Sequence, residues 1–277
     1  MEEVHTGNAA QVRLAFRCGY LGEGFFGSQV QPVLRTVEGE FIRACLNLGL
    51  FSSHRGARFL AAGRTDRGVH ARGQVFAFST VHPDRAVSAL NRRLPPDFWT
   101  TGYAVVEPGF HPRHHAVSRT YRYYFGEPDL DAEAMDRAAR IFCGVHDFSL
   151  FARVEGRDPV RKVLTSRVFL DQGLCVYEVS AESFLWHMVR YMASTLLMAG
   201  LGADGDEVIL SRLAGDGRAR LSPAPPEGLV LWDVAYAFPF VPVSAGEKAL
   251  ALLESRGAYH RCMGRVIDTL RDTTNDM

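Results

Sequence analysis

Apolar side chains fall at every second position from residue 12 to 18 (Val12, Leu14, Phe16, Cys18), the period of a half-buried strand. After Thr36 the period lengthens: Val37, Phe41, Cys45 and Leu48 recur at helical spacing, which predicts a helix capped by Thr36. ARFLAA and QVFAF read as two strands joined by the loop GRTDRGVHARG. PDRAVSALNRRL reads as a helix with proline near its start, and the residues around TTGYAVV as a strand. The order is strand, helix, strand, strand, helix, strand, and the second half repeats it. RTYRYYF is a strand and DAEAMDRAARIF a helix; VLTSRVFLDQ and LCVYEVSA form a hairpin around Gly173. A helix runs from Ser183 to about Ala199, and a last strand lies in GLVLWDVAYAF. Two passes through one order predict an α+β fold of paired ferredoxin-like βαββαβ units, each a sheet with helices on one face. No residue-level repeat accompanies them.

The expected units are residues 12–107 and 108–242, with the linker at VVEPGFHPRHH, where two prolines and a glycine cluster. Residues 243–277 form a tail with helical patterning (Leu250, Leu253; Val266, Leu270) and no motif. The amino terminus, MEEVHTGNAA, is acidic and polar, unlike a secretory leader. The most apolar run, FLWHMVRYMASTLLMAGLG, is interrupted by His187, Arg190, Ser194 and Thr195, so no membrane span is expected. Five scattered cysteines, mostly in apolar company, suggest reduced, buried thiols in a cytoplasmic protein rather than disulfides or a zinc site.

Net charge is zero, but the charges are segregated. Eight arginines between Ser52 and Arg93 face only Asp66 and Asp84. The stretch His111–Phe125 holds three arginines, three histidines and no acid. A basic face on a neutral protein is the footprint expected of a partner that is an anionic polymer.

Within that basic region lies the loop GRTDRGVHARGQ. It sets one carboxylate, Asp66, among Arg64, Arg67 and Arg72 and spaces three glycines evenly, at Gly63, Gly68 and Gly73. Such an acid is either a salt-bridge anchor or a reactive group in an electropositive pocket. The apolar helix carries Ser183, His187, Arg190 and Ser194 on one stripe. A buried guanidinium needs a partner, so Arg190 should meet a carboxylate or line a wet cleft; Glu178 and Glu182 are the structural alternatives. On the strand SRTYRYYF, Arg119, Tyr121 and Tyr123 face one way and Arg122 and Tyr124 the other. Tyrosine beside arginine suits base stacking with phosphate contact, or simply a half-buried aromatic strand. HPRHH lacks nearby acids or cysteines for a metal site, and YLGEGFFGSQ lacks the lysine of a phosphate loop.

These motifs together resemble the tRNA pseudouridine synthase A family. Gly63–Val75 is similar to the family signature GRTD-x-GVHA-x-GQV. GYLGEGFFGSQVQ, FHPRHHAVSRTYRY, HDFSLF, FLWHMVRYMASTLLMAG and SPAPPEGLVLWDVAY resemble five further family segments in the same order, across residues 12–238. The resemblance implies a catalytic role for Asp66, stacking of the target base on Tyr121, and pairing of Arg190 with Asp66. Arg64 matches an arginine beside the target nucleotide. Arg67, His70, Arg72, Arg113, Arg119 and His187 join Arg64 as candidates for contacting RNA. Arg67 stands where the family usually has alanine, and Ser28 where it has tryptophan.

The implied reaction isomerises uridine to pseudouridine in the anticodon stem-loop of tRNA, at positions 38, 39 or 40. It needs no cofactor and no metal, only a carboxylate acting on the ribose as nucleophile or base. A neighbouring guanidinium favours the ionised carboxylate, and an aromatic face offsets part of the cost of unstacking the base. The resemblance also implies one continuous, mainly antiparallel sheet with a catalytic cleft between the units, and a cytoplasmic homodimer. The alternatives are a catalytically idle RNA-binding or chaperone protein on the same fold, and a phosphate-ester hydrolase using Asp66.

Overall fold

The computed structural model describes residues 10–203, 206–216 and 222–275; all but the last residue of the MEEVHTGNAA stretch lies outside them. The elements in chain order are β1 (Val12–Tyr20), α1 (Val37–Asn47), β2 (Leu60–Ala61), β3 (His70–Thr80), α2 (Pro83–Arg93), β4 (Phe98–Val106), β5 (Ser118–Tyr124) and α3 (Ala132–Arg140). There follow β6 (Gly144–Asp147), β7 (Val160–Asp171), β8 (Leu174–Ala181), α4 (Met188–Gly200), α5 (Asp206–Leu213), β9 (Leu229–Ala235), β10 (Val241–Pro242) and α6 (Glu247–Asn275). The strands join in one sheet, in the order β10-β4-β1-β3-β9-β5-β8-β7-β6, with β2 also paired to β3. Its pairings are antiparallel except where His70 and Ala71 of β3 face Val230 and Leu231 of β9. The series β4-β1-β3-β2 and β9-β5-β8-β7 share one order relative to the chain, which is the α+β architecture expected from the element sequence.

Local chemistry explains where elements begin. Thr36 caps α1, its hydroxyl accepting from the Gly39 N–H, and the Asp131 carboxylate caps α3 through the Ala134 N–H. Phe41 of α1 packs on Phe16 and Phe76 of the sheet in one core. In a second core Met192 and Leu196 of α4 meet Met135, Tyr177 and Val179. The two cores interlock. Leu231 and Val234 of β9 belong to the first, Val69 from the Asp66 loop belongs to the second, and Tyr121 packs against both.

Several elements differ from the sequence reading. The helix after β8 starts at Met188 rather than Ser183, because His187 adopts a left-handed conformation (φ 62°) and the chain before it is tied elsewhere. The Arg153 N–H donates to the Trp186 carbonyl, and the Arg119 guanidinium to that of Glu182. Ser183 therefore leaves the helical stripe. The loop is also shorter than its glycines suggest, since HARG already belongs to β3. A Cβ at Gly73 would lie 2.7 Å from the Trp232 carbonyl, so this glycine permits close approach of β9; of the three only Gly68 (φ +87°) uses left-handed backbone. β6, α5 and β10 are additional. Cys18, Cys45 and Cys175 are buried, whereas Cys143 and Cys262 are exposed.

Candidate active site

Asp66 sits on the loop between β2 and β3, and the rest of the fold holds that loop still. The Thr65 N–H donates to the buried Ser28 Oγ, and the Ser28 N–H to the Thr65 carbonyl, both at 2.9 Å. Tyr20 hydroxyl meets Thr65 Oγ1 at 2.7 Å, and Gln74 Nε2 donates to the Gly63 carbonyl at 2.9 Å. The glycine-rich segment after β1 thus forms the floor under the loop. A Cβ at Gly27 would come within 3.3 Å of the Thr65 carbonyl.

Three side chains from one short segment converge on the Asp66 carboxylate. Trp186 Nε1–H donates to Oδ1 at 3.0 Å; His187 Nε2 and Arg190 Nη1 reach Oδ2 at 3.1 and 3.3 Å. The carboxylate keeps about a third of its surface open (31 %), while the His187 and Arg190 side chains are almost covered. Arg190 also clamps the segment before β9, donating Nε–H to the Ala224 carbonyl at 2.7 Å. Glu178 and Glu182, the alternative partners for Arg190, are engaged by Arg122, Arg167 and Lys162. Burial pulls His187 below its usual range despite the nearby Asp66 charge, and Arg190 and Arg153 push it the same way. At neutral pH it is then a neutral imidazole, with Nε2 3.1 Å from Asp66 Oδ2 and a buried Nδ1 that has no partner among the described residues. Its left-handed backbone is a local strain that aims the ring at Asp66.

Tyr121 lies on β5, half-buried, with Phe184 edge-on at 5.1 Å between ring centres. Burial raises its phenol to about 12; Arg119 opposes that shift and the nearby Asp66 charge adds to it, so the hydroxyl stays protonated. Asp66, Tyr121, His187 and Arg190 therefore share one site, and Trp186 joins them.

The remaining candidates are placed differently. Arg64, Arg67, Arg72 and Arg113 are exposed; Arg67 lies over the Phe26 ring and Arg72 over that of Trp232. Arg119 directs its guanidinium to the carbonyls of Ala62, Arg113 and Glu182, bridging three segments. His70 accepts the Gly22 N–H at Nδ1 and faces the Glu227 carbonyl with Nε2, which joins two turns beneath the loop. Their contacts are internal. In HPRHH, His111 and His115 accept backbone N–H groups of their own turn. Trp186 had no place among the sequence candidates. Its available signal was an indole directly before His187 in a stretch otherwise read as core helix.

A family profile described as tRNA pseudouridine synthase matches residues 138–237. A protein of Methanoculleus marisnigri named tRNA pseudouridine synthase A is 53 % identical over 255 residues, 92 % of this chain and 94 % of that one. Proteins of the same name from Methanosphaerula palustris and Methanocorpusculum labreanum are 53 % and 50 % identical. They cover 83 % and 90 % of this chain, and 82 % and 89 % of their own lengths.

Proposed function

The chain belongs to the tRNA pseudouridine synthase A family, and from that premise we propose that Asp66 performs the isomerisation of uridine to pseudouridine in tRNA. The reaction cuts the bond from ribose to a base nitrogen and joins the same ribose carbon to a carbon of the base, with no net redox change. It calls for one carboxylate aimed at the ribose, acting as nucleophile or base. The observation that carries this reading is the meeting of Arg190 Nη1 with Asp66 Oδ2 at 3.3 Å, 124 residues apart in the chain, in a site left partly open to solvent. A guanidinium and an indole N–H donating to one acid suit its ionised form and fix its direction.

In the proposed complex the target uridine leaves its stack and rests on Tyr121, while exposed Arg64, Arg67, Arg72 and Arg113 hold neighbouring phosphates. His187 orients Asp66, and the internal contacts of Arg119 and His70 support the site's framework. The loop belongs to the unit 12–107; Tyr121 and Arg190 belong to the unit 108–242. The substrate uridines are those of the anticodon stem-loop, positions 38 to 40, and the enzyme works in the cytoplasm as a homodimer. Light scattering that returns the mass of one chain would remove the dimer from this account.

The decisive experiment is Asp66→Asn, which keeps the shape and removes the charge. Pseudouridine in a tRNA transcript, measured by nucleoside chromatography, should fall at least a thousandfold while tRNA affinity stays within a few-fold. An active Asp66→Asn variant would end the assignment. Mapping pseudouridine in total tRNA, with and without the protein, tests the positions.

A further inference from the structure

Trp186 touches two places at once. Its indole N–H holds Asp66, yet 41 % of the residue is exposed. The same residue lines a neighbouring open cavity of about 670 Å³, together with Arg153, Glu155, Tyr191, Ser149, Ser222 and Pro223; Asp66 is not part of that lining. Trp186 is therefore the partition between the carboxylate and the cavity. The exposed Arg153 places its guanidinium 4.8 Å from the Trp186 ring centre and pairs with no carboxylate among the described residues. Its main chain is tied to the same residue, the Arg153 N–H donating to the Trp186 carbonyl.

A flat indole, an unpaired guanidinium and the hydroxyls of Ser149, Tyr191 and Ser222 in a volume of this size form a receptor for a nucleobase and its phosphate. The indole face offers stacking, and the guanidinium that covers it in the free protein has a better partner in a phosphate oxygen. We propose that this cavity takes the nucleotide adjacent to the target uridine. Trp186 stacks on its base, Arg153 holds its phosphate, and the indole N–H couples that stacking to the direction of Asp66. The inference rests on reading Asp66 as the carboxylate of the isomerase.

The test uses an unmodified tRNA transcript and the full-length protein. Tryptophan emission, affinity, and single-turnover rate at saturating tRNA are followed for wild type, Trp186→Phe, Trp186→Leu and Arg153→Ala. Wild-type emission should be quenched on binding. Trp186→Phe should lose most of that quench although Trp99 and Trp232 remain. It should bind within about threefold of wild type, since a phenyl face still stacks, and turn over more slowly for want of the N–H donor. Trp186→Leu should bind roughly tenfold or more weakly. Arg153→Ala, a change at an exposed side chain that leaves the core intact, should weaken binding and lower the salt slope by about one. An undiminished quench in Trp186→Phe, wild-type affinity in Trp186→Leu, or an unchanged salt slope in Arg153→Ala would each overturn the subsite. The quench reads binding alone. Normal product without a Trp186-dependent quench strikes the subsite only, and an intact quench without product strikes the isomerase reading only.

Discussion

Asp66 illustrates how one side chain gets its meaning from its surroundings. Three donors crowd the carboxylate, but none comes from the nearby arginines of its own loop: Arg64 and Arg67 point to solvent, and Arg67 rests on Phe26. The loop is held from below instead, by Ser28, Tyr20 and Gln74. Ser28 therefore has a clear job here. His70 has another. With Nδ1 accepting from Gly22 it is a neutral ring, and burial holds it below the usual histidine range. A histidine whose folded-state value is depressed binds fewer protons folded than unfolded, so stability rises with pH across that interval. Thermal stability should accordingly fall as pH drops below about 6.5. A His70→Gln variant should show a shallower fall in the same melts, and an equal slope in both would remove His70 from the effect.

At the scale of elements, the decisive feature is where α4 begins. Were the helix to start at Ser183, Trp186 and His187 would point in directions set by helical geometry. The left-handed turn at His187 frees both to reach Asp66, while Arg190, in the first turn of the helix, reaches the same oxygen as His187. Arg190 also ties α4 to the segment entering β9. Arg190→Met should keep the helix, as seen by far-UV circular dichroism, yet lose pseudouridine formation and about 1–3 kcal/mol of stability in urea titrations, the cost of leaving buried partners unmatched. Retained turnover would show that the Asp66–Arg190 contact is only structural.

The whole molecule brings these pieces together at the seam of its sheet. β3 and β9 are ladder-paired at His70–Val230 and Ala71–Leu231, and the Asp66 loop lies just before that pairing. Because each core borrows residues from the other half, the seam is a packed joint, which holds two distant segments in register across an open site. Zero net charge coexists with exposed Arg64, Arg67, Arg113 and Arg153, and with exposed Arg72 on the face of the sheet opposite Tyr121, over Trp232 beside Arg122. If these five meet phosphates, raising salt from about 50 to 200 mM should weaken tRNA binding roughly a hundredfold through counterion release. A flat response in filter-binding titrations would mean that these arginines do not carry the affinity. Among the described residues no helix is long and apolar enough to cross a membrane; α6, which realises the helical pattern of the tail, is mostly exposed.

Element types and their order followed from short-range physics: alternation for β1, helical spacing and a threonine cap for α1, an apolar run for most of α4. The family motifs pointed to Asp66, Tyr121 and Arg190 because each stands at a fixed offset within its own motif. What no local pattern could settle was partnership. Whether Arg190 meets Asp66 or Glu178, whether Arg119 and His70 face outward or lock backbone, and that Trp186 holds the acid all depend on contacts between residues far apart in the chain. Those contacts exist only once two cores have packed and the sheet has closed its seam, so tertiary structure alone decided them.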